Sequence, residues 1–148
     1  MYYIGRNNLN VILKGVKIDF PNIFLPWTLT ANELDSFSND FNIMQITSNY
    51  YVMKNVMLFR NLQCNIGLHF NKTLNKIELF RDSYDDLKSS YNDFQQNLVE
   101  VFGKPTNTFR GDGGFENYEW SIKRKIVVHH SVIDRFGLTE YAYISKEG

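Results

Sequence analysis

Hydrophobic and polar positions alternate most strictly in LQCNIGLHF, residues 62–70. A period of two predicts a β-strand with one buried and one solvent-facing side, as in an antiparallel sheet. The turn NKTLN and the segment KIELF that follow predict a second strand that pairs back onto the first. The apolar positions of the first strand are Leu62, Cys64, Ile66, Leu68 and Phe70.

A different period, of three and four residues, begins at Tyr84 and ends at Phe102. It predicts one long amphipathic helix over about residues 84–102. We expect Asp82 or Ser83 to cap the start of this helix and Gly103 to end it. The apolar stripe consists of Tyr84, Leu87, Tyr91, Phe94, Leu98, Val101 and Phe102.

The N-terminal part of the chain contains a shorter helix signal. Thr30 is followed three residues later by Glu33, which is the spacing of a capping box and predicts a short helix over about residues 31–37. Strand patterns dominate residues 43–81 and return after the GDGG loop, without crossover helices between neighbouring strands. We therefore predict a single α+β domain over residues 1–148. Its single-layer or curved antiparallel sheet packs against the long helix.

Charge and cysteine content narrow the classes of partner. The 16 Lys and Arg residues balance the 16 Asp and Glu residues, so no net field attracts nucleic acid or an anionic membrane. The start MYYIGRNNLN lacks the pattern of a signal peptide, and the uncharged stretch FPNIFLPWTLTAN is too short to span a bilayer. The single cysteine, Cys64, fits a reducing compartment and lies on an apolar strand face, where a thiol is a poor nucleophile. We expect a cytoplasmic protein that binds neither nucleic acid nor membrane.

The segment VVHHSVIDRFG, residues 127–137, has the composition of a catalytic or metal site. Successive side chains of a strand point to opposite faces, so His129 and His130 cannot hold one metal ion together. The chain has no H-x-x-x-H or C-x-x-C spacing. We therefore predict no metal site, no cofactor and no catalytic residue. A small enzyme or ligand-binding domain that uses one histidine with a carboxylate is an alternative.

The end of this segment, IDRFG, has the residues of a turn. Asp134 and Gly137 predict a type I turn in which the carboxylate accepts backbone N–H groups and the glycine takes positive φ. Between two strand patterns, such a turn is the tip of a β-hairpin, and Arg135 is exposed there. We expect contact with a protein partner at this tip and at the acidic segment before it. The candidate partner-binding residues are Asp112, Glu116, Glu119, Asp134 and Arg135.

The segments VEVFGKP, NYEW, IVVHH, DRFG and EYAYIS follow one another between residues 84 and 145. In this order they resemble small bacterial immunity proteins, which neutralise the toxic domain of a contact-dependent or polymorphic toxin. The resemblance implies a non-enzymatic cytoplasmic inhibitor that occludes a toxin's active site, often through an acidic surface. The neutral net charge of this chain departs from that last feature.

Two classes of function thus follow from the sequence. The first is a monomeric or homodimeric protein-binding module, and an immunity protein is its most specific form. The second is a structural or assembly subunit that forms a homodimer through an exposed sheet edge. A compact cleft in which one histidine meets a carboxylate at hydrogen-bonding distance would instead favour the enzyme.

Overall fold

A computed structural model of the chain describes residues 9–83 and 85–147. Residues 9–12 are helical, and short 3-10 turns lie at Ser38–Phe41 and Asp112–Gly114. The helices are α1 (Ala31–Asp35) and α2 (Leu87–Phe102). The strands are β1 (Gly15–Phe20), β2 (Ile23–Pro26), β3 (Met44–Thr47), β4 (Tyr50–Leu58), β5 (Leu62–Asn71), β6 (Thr73–Phe80), β7 (Asn107–Arg110), β8 (Glu116–Ile122), β9 (Ile126–Asp134) and β10 (Leu138–Lys146).

All ten of these strands form one antiparallel sheet. Their order is β2-β1-β4-β5-β6-β10-β9-β8-β7, and β3 pairs with β4 beside β1. The strand β6 lies in the middle of this order and pairs with β10, which joins the two halves of the chain. The predicted α+β class, with an antiparallel sheet, one long helix and one short N-terminal helix, is confirmed.

The helix α2 buries the predicted stripe against one face of the sheet. Phe94 and Leu98 are buried, and Phe102 contacts Trp120 of β8 at a ring distance of 6.4 Å. The Trp120 indole N–H donates to the carbonyl oxygen of Gly103 at 2.8 Å, so the predicted end of the helix is also an attachment point. We call this side of the sheet the core face.

The start of α2 differs from the prediction. Asp86, and neither Asp82 nor Ser83, is the N-cap, because its carboxylate accepts from the backbone N–H of Lys88. The first predicted position of the stripe, Tyr84, lies outside the described residues. Each of several acidic or hydroxyl residues in this segment could cap a helix, so the sequence pattern could not choose among them.

The short helix α1 begins as the capping box predicts. The Thr30 hydroxyl accepts from the backbone N–H of Glu33 at 3.1 Å, and the Glu33 carboxylate accepts from the Thr30 backbone N–H at 3.0 Å. The helix ends at Asp35, two residues earlier than predicted, and a 3-10 turn follows it. Leu34 anchors the helix in the core.

The strand β5 is buried on both sides at its centre, where one solvent-facing side was predicted. Asn65 and Gly67 are buried although they alternate with the core residues. The Tyr50 ring lies over Gly67, where a Cβ atom would come within 2.7 Å of the Tyr50 hydroxyl. Asn65 accepts from the backbone N–H of Asn55 at 2.9 Å, at a bulge in β4. Alternation along one strand does not reveal such cover from the neighbouring strand.

The capping box gives the first prediction. Thr30→Ala removes the hydroxyl acceptor, so we expect the free energy of unfolding in urea to fall by about 1 kcal/mol. Thr28→Ala is the matched control, because Thr28 is exposed and lies outside the box; its effect should stay within about 0.5 kcal/mol. Equal losses in the two variants would contradict the role of the cap.

Candidate functional site

A buried polar network lies between α2 and the hairpin of β9 and β10. His130 is fully buried on the core face, and its ring stacks on Tyr91 at 4.7 Å. Its Nε2 atom lies 2.6 Å from Oε2 of Glu140, and its Nδ1 atom lies 2.8 Å from Oε1 of Gln95. Both ring nitrogens thus face oxygen atoms, and a doubly protonated imidazole would donate to both.

The network continues from Glu140 to the beginning of α2. The Ser90 hydroxyl donates to Oε1 of Glu140 at 2.6 Å, and the Arg81 guanidinium donates to the Ser90 hydroxyl at 2.8 Å. Arg81 also donates to Asp93 at 2.6 Å and lies over the Phe94 ring at 4.5 Å. These contacts connect α2, β9, β10 and the residue after β6. His130 and Glu140 are removed from water, whereas Asp93 at the end of the network is half exposed.

This arrangement bears on the alternative of a small enzyme. A histidine does meet a carboxylate at hydrogen-bonding distance, but the His130 side chain is fully buried and both of its nitrogens have partners. Ser90 donates to Glu140, whereas a nucleophilic serine donates to the histidine. Glu140 reaches the wall of a cleft of about 480 Å³ that Arg81 also lines, but both of its oxygens are already bonded. The geometry favours a structural network over a catalytic one.

His129 lies on the other side of the sheet, which confirms that the two histidines diverge. Its ring stacks on Tyr143 at 5.0 Å, and its Nδ1 atom is buried without a hydrogen-bond partner. Burial lowers the pKa of His129, against the opposing effect of Glu119, so the neutral ring is favoured. Over residues 9–83 and 85–147, no three His, Cys, Asp or Glu side chains are grouped so that they could hold a metal ion.

Three of the predicted partner-binding residues come together at one end of the sheet. The backbone N–H of Asp134 donates to the Asp112 carboxylate at 2.8 Å, and the Asp134 carboxylate accepts from the backbone N–H of Gly137 at 3.2 Å. Arg135 is exposed beside them. We call this region, Asp112–Gly114 together with residues 134–138, the hairpin end. The Asp112 carboxylate holds one loop against the other, and the Asp134 carboxylate closes its own turn.

Of the other two predicted residues, one lies beside this group and one lies apart from it. Glu116 begins β8 opposite Arg110 and accepts from the Tyr118 hydroxyl at 3.0 Å, close to the hairpin end. Glu119 lies on the side of the sheet opposite the core face. Its neighbours on the adjacent strands are His129 and Asn107. The five candidate residues therefore do not form one surface.

Sequence reasoning missed Phe136, the most exposed large apolar residue in the described part of the chain. Its side chain is fully exposed, at 107% of the reference value, and its φ is +67°. This φ is wrong for the predicted type I turn, although the hairpin and the positive φ of Gly137 are confirmed. Glycine marks a left-handed position in a sequence, but a phenylalanine in that conformation has no local signal.

No known protein family, no curated protein and no solved structure matched this chain when it was compared with all three. In the described part of the chain, no helix combines the length and the apolar character that crossing a bilayer requires.

The buried network gives a second prediction. Glu140→Ala leaves His130 buried without its carboxylate, so we expect the free energy of unfolding to fall by about 3–5 kcal/mol. Asp82→Ala is the control, because Asp82 pairs with Lys54 at the surface, where an ion pair contributes about 0–1 kcal/mol. A loss below about 1 kcal/mol for Glu140→Ala in urea unfolding would contradict the role of the network.

The single thiol gives a third prediction. Burial raises the pKa of Cys64 to about 12, with a smaller opposing effect from Arg81. At pH 8 the thiol is therefore protonated and shielded, and the native protein should not react with a disulfide reagent that labels it fully in denaturant. Ser48→Cys, at an exposed position in the turn between β3 and β4, should add one rapidly labelled thiol. Rapid labelling of the unmodified native chain would be the contrary result.

Proposed function

We propose that this chain is a non-enzymatic protein-binding module that contacts its partner through the hairpin end, with Phe136 as the anchor. The observation that carries the proposal is the combination of full exposure and a φ of +67° at this residue. A bulky side chain in the left-handed region is strained. Burial on folding does not offset the backbone strain at Phe136, because its ring is in water.

A second phenylalanine in the same conformation shows the contrast. Phe59 has a φ of +51°, but its ring packs against Phe102 at 5.5 Å, so the core compensates for its strain. Phe136 has no such contact with the described residues. Burial against another protein would supply one, and aromatic residues are enriched among the side chains that dominate binding energy.

The hairpin end presents this anchor in a fixed position. The Asp112 carboxylate holds the two loops together, and the Asp134 carboxylate closes its own turn. Leu138 packs over Gly113, where a Cβ atom would come within 2.5 Å of the Leu138 Cδ1 atom. The backbone N–H of Arg135 donates to the carbonyl oxygen of Gly137 at 3.0 Å, and its side chain is exposed beside Phe136, where a partner can reach it. Rigid presentation lowers the entropy that binding must overcome.

The partner that fits best is a toxin domain with a concave active site. The resemblance to bacterial immunity proteins supports this class, as does a protruding aromatic residue that could enter a cleft. Because the chain has no net charge, we propose that occlusion depends on shape more than on an acidic surface. The interface would bury roughly 1,200–2,000 Å² in total, the standard size for a specific complex. Such an inhibitor would act in the cytoplasm.

Phe136→Gly separates binding from folding and is the fourth prediction. Glycine takes this φ without strain, so the free energy of unfolding should not fall. The dissociation constant for the toxin domain should rise about 30-fold or more, because a central anchor contributes about 2 kcal/mol or more. Ile46→Ala, at an exposed apolar residue of β3, is the control and should leave affinity unchanged.

The assay is co-expression with the product of the gene directly upstream. The unmodified chain should abolish the toxicity of that product, and Phe136→Gly should restore growth inhibition while the variant remains folded. Toxicity that persists beside the unmodified chain would contradict the immunity function. Full protection by Phe136→Gly, with unchanged affinity, would contradict only the assignment of the anchor.

A further inference from the structure

The side of the sheet opposite α2 carries a tyrosine-rich surface. The described helices pack on the core face, α2 through Phe94 and α1 through Leu34. We call the opposite surface, on β5, β6, β10, β9 and β8, the outer face. Its side chains, which alternate with the core residues, include His69, Lys76, Glu78, Glu119, Ser121, Val127, His129, Tyr141, Tyr143 and Ser145.

Ring contacts give the outer face an ordered centre. Tyr143 stacks on His129 at 5.0 Å, and the Lys76 ammonium lies 5.4 Å from the Tyr143 ring and donates to the Tyr141 hydroxyl at 3.1 Å. Tyrosine is enriched in protein interfaces, so Tyr141 and Tyr143 suit a surface that another protein covers. Lys76, Glu78 and Glu119 on the same face would need partners of opposite charge in such an interface.

Large apolar side chains are exposed at the margins of the same side. Phe20 of β1 is 73% exposed, Met44 of β3 is 49% exposed and Phe109 of β7 is 50% exposed. Their cross-strand partners Met57, Val52 and Asn117 place all three on the outer side of the sheet. Exposed apolar groups around a tyrosine-rich centre are typical of a surface that another protein covers.

The sequence of β6 indicates which molecule covers the outer face. Lys76 and Glu78 point outward on either side of Ile77, in the strand at the middle of the sheet order. Within its own chain Glu78 contacts the His69 ring, and its second carboxylate oxygen can accept from a further cation. A two-fold axis that crosses β6 at Ile77, parallel to the sheet, places Lys76 of each copy against Glu78 of the other. Isologous contacts require such self-complementarity.

The same axis also matches large side chains with small ones. The register sets Lys76, Ser145, Val127 and Ser121 in one row and Glu78, Tyr143, His129 and Glu119 in the next. The axis exchanges these two rows between copies. Ser145 then meets Tyr143, and Val127 meets His129, so side chains from the two sheets can interdigitate as in a sheet-on-sheet core.

The flat area of the outer face is about two thirds of what each partner buries in a standard interface. Five strands about 4.8 Å apart, each contributing about seven residues of about 3.3 Å, span a plane of roughly 550 Å². Side-chain relief and the apolar margins add to this area, and a standard interface needs about 800 Å² per partner. We infer that the outer face is the interface of a two-fold homodimer, formed with a second copy of this chain. This inference is independent of the hairpin end, which lies beyond the exchanged rows.

Charge exchange on β6 tests this inference. The full chain should have twice the monomer mass in sedimentation equilibrium. Lys76→Glu places like charges against Glu78 of the other copy at two points, so the dimer dissociation constant should rise by about tenfold or more. Glu78→Lys should act in the same way. The double variant, Lys76→Glu with Glu78→Lys, restores opposite charges and should restore the dimer.

Lys123→Glu is the control, because Lys123 is an exposed lysine in the turn between β8 and β9. It should leave the mass unchanged, and circular dichroism should show that every variant is folded. A monomer at every concentration tested would overturn the inference. So would a dimer that neither single variant weakens, or one that the double variant does not restore.

Discussion

The burial of His130 against Glu140 is the constraint on which the C-terminal half of the molecule depends. Two ionisable groups removed from water must satisfy each other, and here Gln95 and Ser90 satisfy their remaining hydrogen-bonding atoms. The pair fixes how β9 and β10 meet and where α2 lies over them. A helix displaced by one turn would leave the histidine and the carboxylate without these partners, so the network specifies one packing of the helix on the sheet.

The hairpin of β9 and β10 connects the core to both proposed binding surfaces. Its inward side carries the buried network, its outward side carries His129 and Tyr143, and its tip carries Phe136. Because side chains alternate along a strand, the packing that fixes His130 also fixes the position of the outward rings. The stability of the fold and the two proposed binding surfaces therefore depend on the same two strands. Loss of the buried network would disturb both surfaces.

The two proposed surfaces are compatible in one assembly. The hairpin end lies at the end of the strands, whereas the outer face lies across their middle. A two-fold dimer through the outer face would leave both copies of Phe136 exposed, so each dimer could bind two partners. Two linked binding sites would also raise the effective affinity for a partner that is itself dimeric or clustered.

Local patterns in the sequence determined the long helix, its glycine end, the capping box at Thr30, the alternating strands and the divergence of the two histidines, because each depends on residues a few positions apart. Tertiary structure alone decided which aspartate caps α2, that β5 is covered on both sides, that His130 pairs with Glu140 and Gln95, and that Glu119 lies apart from Asp112. These features depend on residues that are distant in the chain: 35 positions separate His130 from Gln95. The left-handed conformation of Phe136 likewise follows from how the closed hairpin sets its backbone, since phenylalanine has no preference for it.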